Sequence, residues 1–506
     1  MDAANHNNLY LRHRCSNPFA IKNVDVPPPV KTLIILYYAL PNVLGRYLIK
    51  GGFVIPVDGQ RRIIRDGCVL VADDRIEMVG PREQVMPHSA GAEVVDAENC
   101  VIIPGLVDTH VHLAQALLRG VVPDNLTLIP WLRDWVWRFL GVYDSEDAKA
   151  SAALCILEML KTGTTSFIEI HLHTRYGFNG IAELVEKSGI RGVLSKSIMD
   201  MKGYATSEDI LPPGMVEDGE ACIREFKEMH RRWAGKADGR IDVWLGLRSA
   251  GAVSDNLFHE AAALAKEYDT GVTNHVAEVR EDLEYYRKAY GTGVSGFLEK
   301  FNMLGEKHVY AHCVWLNEED MRKFAATGTT AAHCPSSNMK LGSGIAPVSD
   351  MLRYGVNVGL GCDGGPSNDS YDMIREMKIA ALLQKARTLD PNAISAWDVL
   401  EMATRNGARA MGKLSQLGSL EPGKKADIVV VSLKRPSVTP LSNPLSLLVY
   451  AASGEDVRDV MVNGRFVVKN KQALTLNEDE VIKNANKHLE RIVAKAAVKI
   501  DLLKTI

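Results

Sequence analysis

Between residues 101 and 386 the chain alternates short, apolar, β-branched runs with amphipathic stretches of helical period, and no other feature constrains its fold as strongly. Runs at 101–107, 165–170, 192–198, 241–247, 271–275, 307–311, 329–333 and 356–361 read as strands buried on both faces. Stretches at 144–161, 181–188, 217–233, 257–268, 318–326, 347–354 and 371–386 read as helices between them. Repeated β-α units of this length point to a parallel sheet, and about eight in succession predict a closed (β/α)8, TIM-like barrel.

The flanks read differently. Short strands at 47–56, 68–72 and 75–79 precede the barrel, and others at 427–432, 457–462 and 465–468 follow it. Asn463-Gly464 is a two-residue hairpin turn. Segments 47–103 and 418–475 are therefore expected to meet as one small composite β-sandwich domain, with the barrel at 104–417 inserted through it. Residues 1–46 form an N-terminal extension broken by Pro27-Pro28-Pro29, and 476–506 hold a polar, Lys-rich closing helix.

Composition narrows the partners. The formal charge is 59 − 62 = −3 with no long block of one sign, which argues against a polyanion-binding face and so against nucleic acid. No apolar stretch approaches the roughly 20 residues needed to span a bilayer. Eight cysteines lie far apart with no C-x-x-C spacing, and read as reduced thiols in a cytoplasmic protein. A small molecule and a second copy of the chain in a homodimer are the partners left to expect.

Chemistry in such a barrel sits at the C-terminal strand ends. The first strand runs into His110 and His112, whose spacing of two lets both imidazoles face one point. The fifth ends at His275, with Glu278 three residues on; the sixth ends at His312, the seventh at His333 and the eighth at Asp363. His110, His112, His275 and Asp363 supply an N3O set suited to one Zn²⁺, or to Fe²⁺. A cation so held lowers the pKa of a water to about 7, generating hydroxide at neutral pH. Glu278 is placed to move protons to a ring and its leaving group. His312 is placed to hold an oxyanion-like centre, and Asp363 doubles as ligand and proton acceptor.

The runs Pro104-Gly105-Leu106-Val107-Asp108-Thr109-His110-Val111-His112, His275-Val276-Ala277-Glu278, His333-Cys334-Pro335-Ser336-Ser337-Asn338-Met339-Lys340-Leu341 and Gly361-Cys362-Asp363-Gly364 resemble the amidohydrolase superfamily. The branch they look most like holds chlorotriazine hydrolases, S-adenosylhomocysteine/methylthioadenosine deaminases and guanine/8-oxoguanine deaminases. The similarity covers roughly residues 47–474, including Gly418-Ser419-Leu420-Glu421-Pro422-Gly423-Lys424-Lys425-Ala426-Asp427. It implies one divalent metal and hydrolytic loss of ammonia, an amine or a halide from a nitrogen heterocycle. Binuclear relatives carry a carboxylated lysine at the end of strand four; Arg248 stands at the matching place, so a mononuclear site is expected. Nucleoside deaminases place a ribose-contacting histidine there too. Arg248-Ser249-Ala250-Gly251 favours a free base or other small heteroaromatic instead.

Gln115, Arg248, His333 and Asn338 are the expected substrate contacts. Trp131, Trp135 and Trp137 read as helix packing, and His173 as either a pocket residue or a solvated loop histidine. Gly359-x-Gly361-x-x-Gly364 matches a dinucleotide fingerprint, but Asp363 inside it would repel a pyrophosphate. The leading reading is a metal-dependent deaminase of a purine-like heterocycle. A dechlorinating, N-dealkylating or amide/lactam hydrolase and a catalytically silent scaffold are the alternatives.

Overall fold

The computed structural model describes residues 45–212 and 214–498. The expected extension at 1–46 lies outside them up to residue 44, as does the part of the expected closing segment beyond 498; the described helix there runs Glu478–Ala496. Five strands come first: β1 (Arg46–Val54), β2 (Ile64–Ala72), β3 (Arg75–Pro81), β4 (Glu93–Asp96) and β5 (Cys100–Pro104). The barrel follows as β6 (Leu106–Val111), β7 (Thr164–Leu172), β8 (Arg191–Ile198), β9 (Ile241–Leu247), β10 (Val272–Val276), β11 (His308–His312), β12 (Thr330–His333) and β13 (Asn357–Leu360). The chain then returns through β14 (Ile428–Ser432), β15 (Val457–Val462), β16 (Arg465–Lys469) and β17 (Gln472–Ala473).

Strands β6 to β13 pair in sequence order, each parallel to the next. A parallel bridge between Val111 and Asp363 joins the two ends. There the Asp363 N–H donates to the His110 carbonyl at 2.8 Å and the His112 N–H to the Asp363 carbonyl at 3.3 Å. Three expected metal ligands, His110, His112 and Asp363, thus lie on the closing seam. The glycine motif belongs to this seam. A Cβ at Gly359 would meet Thr109 at 2.5 Å, and one at Gly361 would meet the His110 Cβ at 2.8 Å. Close strand approach, not phosphate binding, accounts for those glycines.

One strand reading is corrected. The apolar run 101–107 divides between two sheets: Cys100–Pro104 pairs antiparallel with β14, while Leu106 onward enters the barrel. Pro104 carries no N–H to extend a ladder. A Cβ at Gly105 would lie 2.0 Å from the Thr165 hydroxyl, so only glycine fits the crossing.

The flanking strands form one continuously hydrogen-bonded sheet of nine strands, ordered β17-β16-β15-β14-β5-β1-β2-β3 with β4 on β1. N- and C-terminal segments meet at the β5–β14 pair, so the expected composite β-domain takes this single-sheet form. Asn463 and Gly464 turn the β15–β16 hairpin with φ of 47° and 72°, the left-handed pair such a turn requires. The sheet is tied to the barrel by Arg191 of β8, whose Nη2 donates to Asp427 at 3.2 Å and to Asn463 at 2.5 Å.

Inside the barrel, Val107, Ile168, Val193, Trp244, Val309 and Ala332 form one apolar cluster, closed by Ala410 and Met411. The interior at that level is packed solid, which leaves the polar C-terminal strand ends to build a site. The helix Ser145–Lys161 packs outside, its start fixed by a reciprocal cap between Asp144 and Asp147.

Candidate metal centre and active site

The imidazoles of His110, His112, His275 and His312 converge from β6, β10 and β11. In five of their six pairings, all but His112–His312, the ring centroids lie 5.0 to 5.5 Å apart. His275 Nε2 is 3.3 Å from His112 Nε2. Asp363 Oδ1 lies 3.4 Å from His110 Nε2 and 3.2 Å from His112 Nε2. Two overlapping donor groups result, His110/His112/Asp363 and His110/His275/His312, with donor atoms within 4.8 Å of one another. All four expected ligands are brought together, and His312 joins them.

The electrostatics suit a cation. Burial holds His110 down at about 3 and pushes His112 and His275 down as well, so these rings are neutral bases near pH 7. Burial raises the Asp363 carboxyl, but the His110 and His112 imidazoles facing it outweigh that and hold it well below the usual range. The His275 Nδ1–H donates to the Arg248 carbonyl at 2.7 Å, which leaves Nε2 to present its lone pair to the cluster. Both nitrogens of buried His110 have no hydrogen-bond partner. A borderline-soft divalent ion fits this donor set.

Backbone strain gathers at the same strand ends. Ala277, His312, Cys313 and Asp363 have φ of 51°, 72°, 50° and 64°, a left-handed conformation that costs non-glycine residues on the order of 1 kcal/mol or more each. Two buried carboxylates brace the loops. Asp108 Oδ1 accepts the N–H of His110 at 3.1 Å and of Cys362 at 3.2 Å. Glu169 accepts those of Leu113 at 2.5 Å and His171 at 3.1 Å.

Glu278 stands beside the donors. Its Oε2 accepts the Tyr204 hydroxyl at 3.1 Å and lies 3.5 Å from His312 Nε2. Burial raises its pKa. Its own N–H is held by Asp282 Oδ2 at 2.8 Å. On the other side of His312, Nδ1 donates to Asn338 Oδ1 at 2.9 Å, which makes Asn338 a neighbour of His312 and fixes that ring's tautomer.

The remaining expected residues scatter around this centre. Arg248 lies against the His275 ring, Nη1 2.7 Å from Nδ1, with its guanidinium carbon 5.4 Å from the Tyr204 ring centroid and 5.8 Å from that of Trp137. Gln115 is buried against Gly364, whose Cβ would strike the Gln115 amide oxygen. His333 is buried with neither ring nitrogen partnered. His173 is not the solvated loop histidine. It is buried, 3.3 Å from the Met215 carbonyl and 3.7 Å from Glu217, within the ion pair that Glu217 makes with buried Lys196.

Tyr204, Asp282 and His171 were not legible as site residues. Tyr204 sits in the loop after β8, which shows no period or motif. Asp282 had a signal: a carboxylate in the first turn of the helix Arg280–Tyr290 commonly accepts the preceding N–H groups.

A TIM-like barrel with a histidine-rich donor cluster at its strand ends defines a metal-binding hydrolytic scaffold. Residues 101–467 match the model of the Amidohydrolase family. The chain belongs to that family. It is 36% identical over 450 residues to a 5-methylthioadenosine/S-adenosylhomocysteine deaminase of Pelotomaculum thermopropionicum, covering 89% of this chain and 99% of the relative. It is 37% identical over 449 residues to a 5'-deoxyadenosine deaminase of Methanosarcina acetivorans, covering 89% and 99%. Among solved structures, an adenosine deaminase from Xanthomonas campestris with bound zinc superposes with a TM-score of 0.83 at 30% identity, covering 88% of this chain and 98% of that one.

Proposed function

We propose that this chain is a hydrolytic deaminase of a purine-like heterocycle that holds one divalent cation, zinc foremost, on His110, His112, His275 and Asp363. Its relatives named as deaminases support the reaction class. The observation that carries the mechanism is the buried Glu278, hydrogen-bonded to Tyr204 and 3.5 Å from His312 at the edge of the donor cluster. A divalent cation bound there supplies an electrophilic pull and an acidified water.

The chain's own residues do the rest. The Glu278 carboxylate takes a proton from the attacking water and delivers it to the ring nitrogen beside the attacked carbon. A second delivery to the amino group lets the C–N bond break and ammonia leave. Its raised pKa brings it nearer to the pH at which both steps occur. His312, oriented by Asn338, presents Nε2 to the developing oxyanion. Asp363, held by Ser337 at 2.5 Å, takes that second proton from the hydroxyl left by the attack and passes it on toward the amino group. Arg248, Gln115 and His333 are assigned to substrate contact. A cavity of about 530 Å³ is lined by Leu128, Ile129, Arg280, Trp315, Ser343 and Val279, the residue after Glu278.

The relatives are named for nucleosides, whereas Arg248-Ser249-Ala250-Gly251 favours a free base, so both belong in one test. Ammonia release is measured from adenine, guanine, adenosine, 5'-deoxyadenosine, a pterin and a chlorotriazine, beside Glu278→Gln. Deamination of at least one purine is expected, with metal retained and turnover reduced about 10²–10⁴-fold in the variant. Near-wild-type rates in Glu278→Gln defeat the mechanism, and halide release alone favours the dechlorinating alternative. We also read the protein as a cytoplasmic homodimer. Seven described cysteines, all buried and free, agree with a reducing compartment, and sedimentation equilibrium measures the subunit number.

A further inference from the structure

Strand β7 ends in a histidine that has no part in the chemistry above. His171 has both ring nitrogens buried and without a hydrogen-bond partner, while its backbone N–H is held by Glu169. Its ring centroid lies 5.1 Å from that of His112 and 6.2 Å from that of His275. It retains 5% exposure where its neighbours Ile170 and Leu172 have 0%. His112, His275 and Arg248 likewise retain 4% and Asp363 6%. A neutral imidazole carries one donor and one acceptor, and leaving both unmade in a buried site is costly. Nothing among the described residues satisfies them, and His171 belongs to neither group of donor atoms able to share an ion. The partner they call for therefore lies outside the described residues.

We propose that His171 is a specificity-determining residue that hydrogen-bonds the polar edge of the substrate heterocycle, at a ring nitrogen. This rests on the deaminase reading. The ring sits on a rigid barrel strand, braced by Glu169, which suits selection by geometry more than adaptable binding.

The test uses metal-loaded wild type, His171→Phe and His171→Gln. Probes are adenosine, guanine and the 3-deaza and 7-deaza analogues of each. kcat/KM is measured for all six, and calorimetric dissociation constants are taken in the Glu278→Gln background, where turnover is slow. His171→Phe is expected to keep one divalent ion per chain and a thermal midpoint within about 3 °C. It should lower kcat/KM and affinity for the parent heterocycle about 10–100-fold. One deaza analogue, lacking the atom that His171 reads, should lose less than about threefold, and His171→Gln should recover part of the loss because it keeps a donor and an acceptor. Equal losses for every compound, loss of the ion in both variants, or no change in any compound overturns the proposal. Wild-type protein that neither binds nor deaminates any of the six defeats the deaminase reading and this proposal with it; active wild type with unresponsive variants defeats this proposal alone.

Discussion

The clasp made by Asp108 across the barrel seam gives the sharpest prediction. Its Oδ1 accepts two buried N–H groups, those of His110 and Cys362, and so fixes the backbone on both sides of the closure that carries His110 and Asp363. Asp108→Ala strands both donors, at about 1–3 kcal/mol each. An opposing effect is built in. Burial pushes the Asp108 carboxyl up to about 7, and its Oδ2 has no partner. Moving a carboxyl from 3.8 to about 7 amounts to on the order of 4 kcal/mol held against the ionised form, which any neutral replacement relieves above pH 7. The two effects nearly cancel in stability, so the clasp is revealed by metal binding instead. Asp108→Ala should lower divalent-ion affinity about 10–100-fold, the range for groups that orient ligands. Asp108→Asn, which keeps the acceptor and drops the charge, should stay within about fivefold and melt no lower than wild type at pH 8. Competition titration against a chromophoric chelator measures the first quantity and calorimetry the second. Wild-type affinity in Asp108→Ala, or an equal loss in Asp108→Asn, would refute the reasoning.

Three other outcomes follow from the geometry. Tyr204→Phe removes a hydrogen bond that lowers the pKa of Glu278, so the acid limb of the pH–rate profile should move upward; an unmoved limb argues against Glu278 as the titrating group. Asp427→Ala leaves the guanidinium of buried Arg191 without its carboxylate and should cost about 3–5 kcal/mol in urea unfolding; a loss below 1 kcal/mol would show that the barrel does not depend on this tie. Glu376, pushed by burial to about 7, binds more protons folded than unfolded between pH 4.5 and 7. Stability from that group is present below 4.5 and lost as pH rises through 7. Glu376→Gln should therefore flatten the fall in thermal midpoint between pH 5 and 8, and an unchanged slope would count against the buried acid.

Much of this molecule was readable without coordinates because its signals are local. Apolar runs of strand length alternating with amphipathic helices specify a barrel, and the polar residues that end those runs name His110, His112, His275, His312 and Asp363 as neighbours at one mouth. Asn463-Gly464 specifies its hairpin because left-handed backbone is a property of those residues.

Other features depend on distance between parts of the chain far apart in sequence. The run at 101–107 has one composition but serves two sheets, and only the return of β14 beside Cys100–Pro104 divides it. His171 and His173 look alike in the text. Pairing with Glu217 and Lys196 draws His173 into a buried ionic network, while His171 is left beside the metal donors with its nitrogens unmet. Tyr204 acquires its place because the loop after β8 crosses to Glu278, 74 positions further along the chain. Periodicity and residue chemistry thus determined the elements and the donor types, since both are set by neighbours within a few residues. Which side chains meet, and which polar groups stay unpaired, was decided by the packing of strands and loops from distant segments.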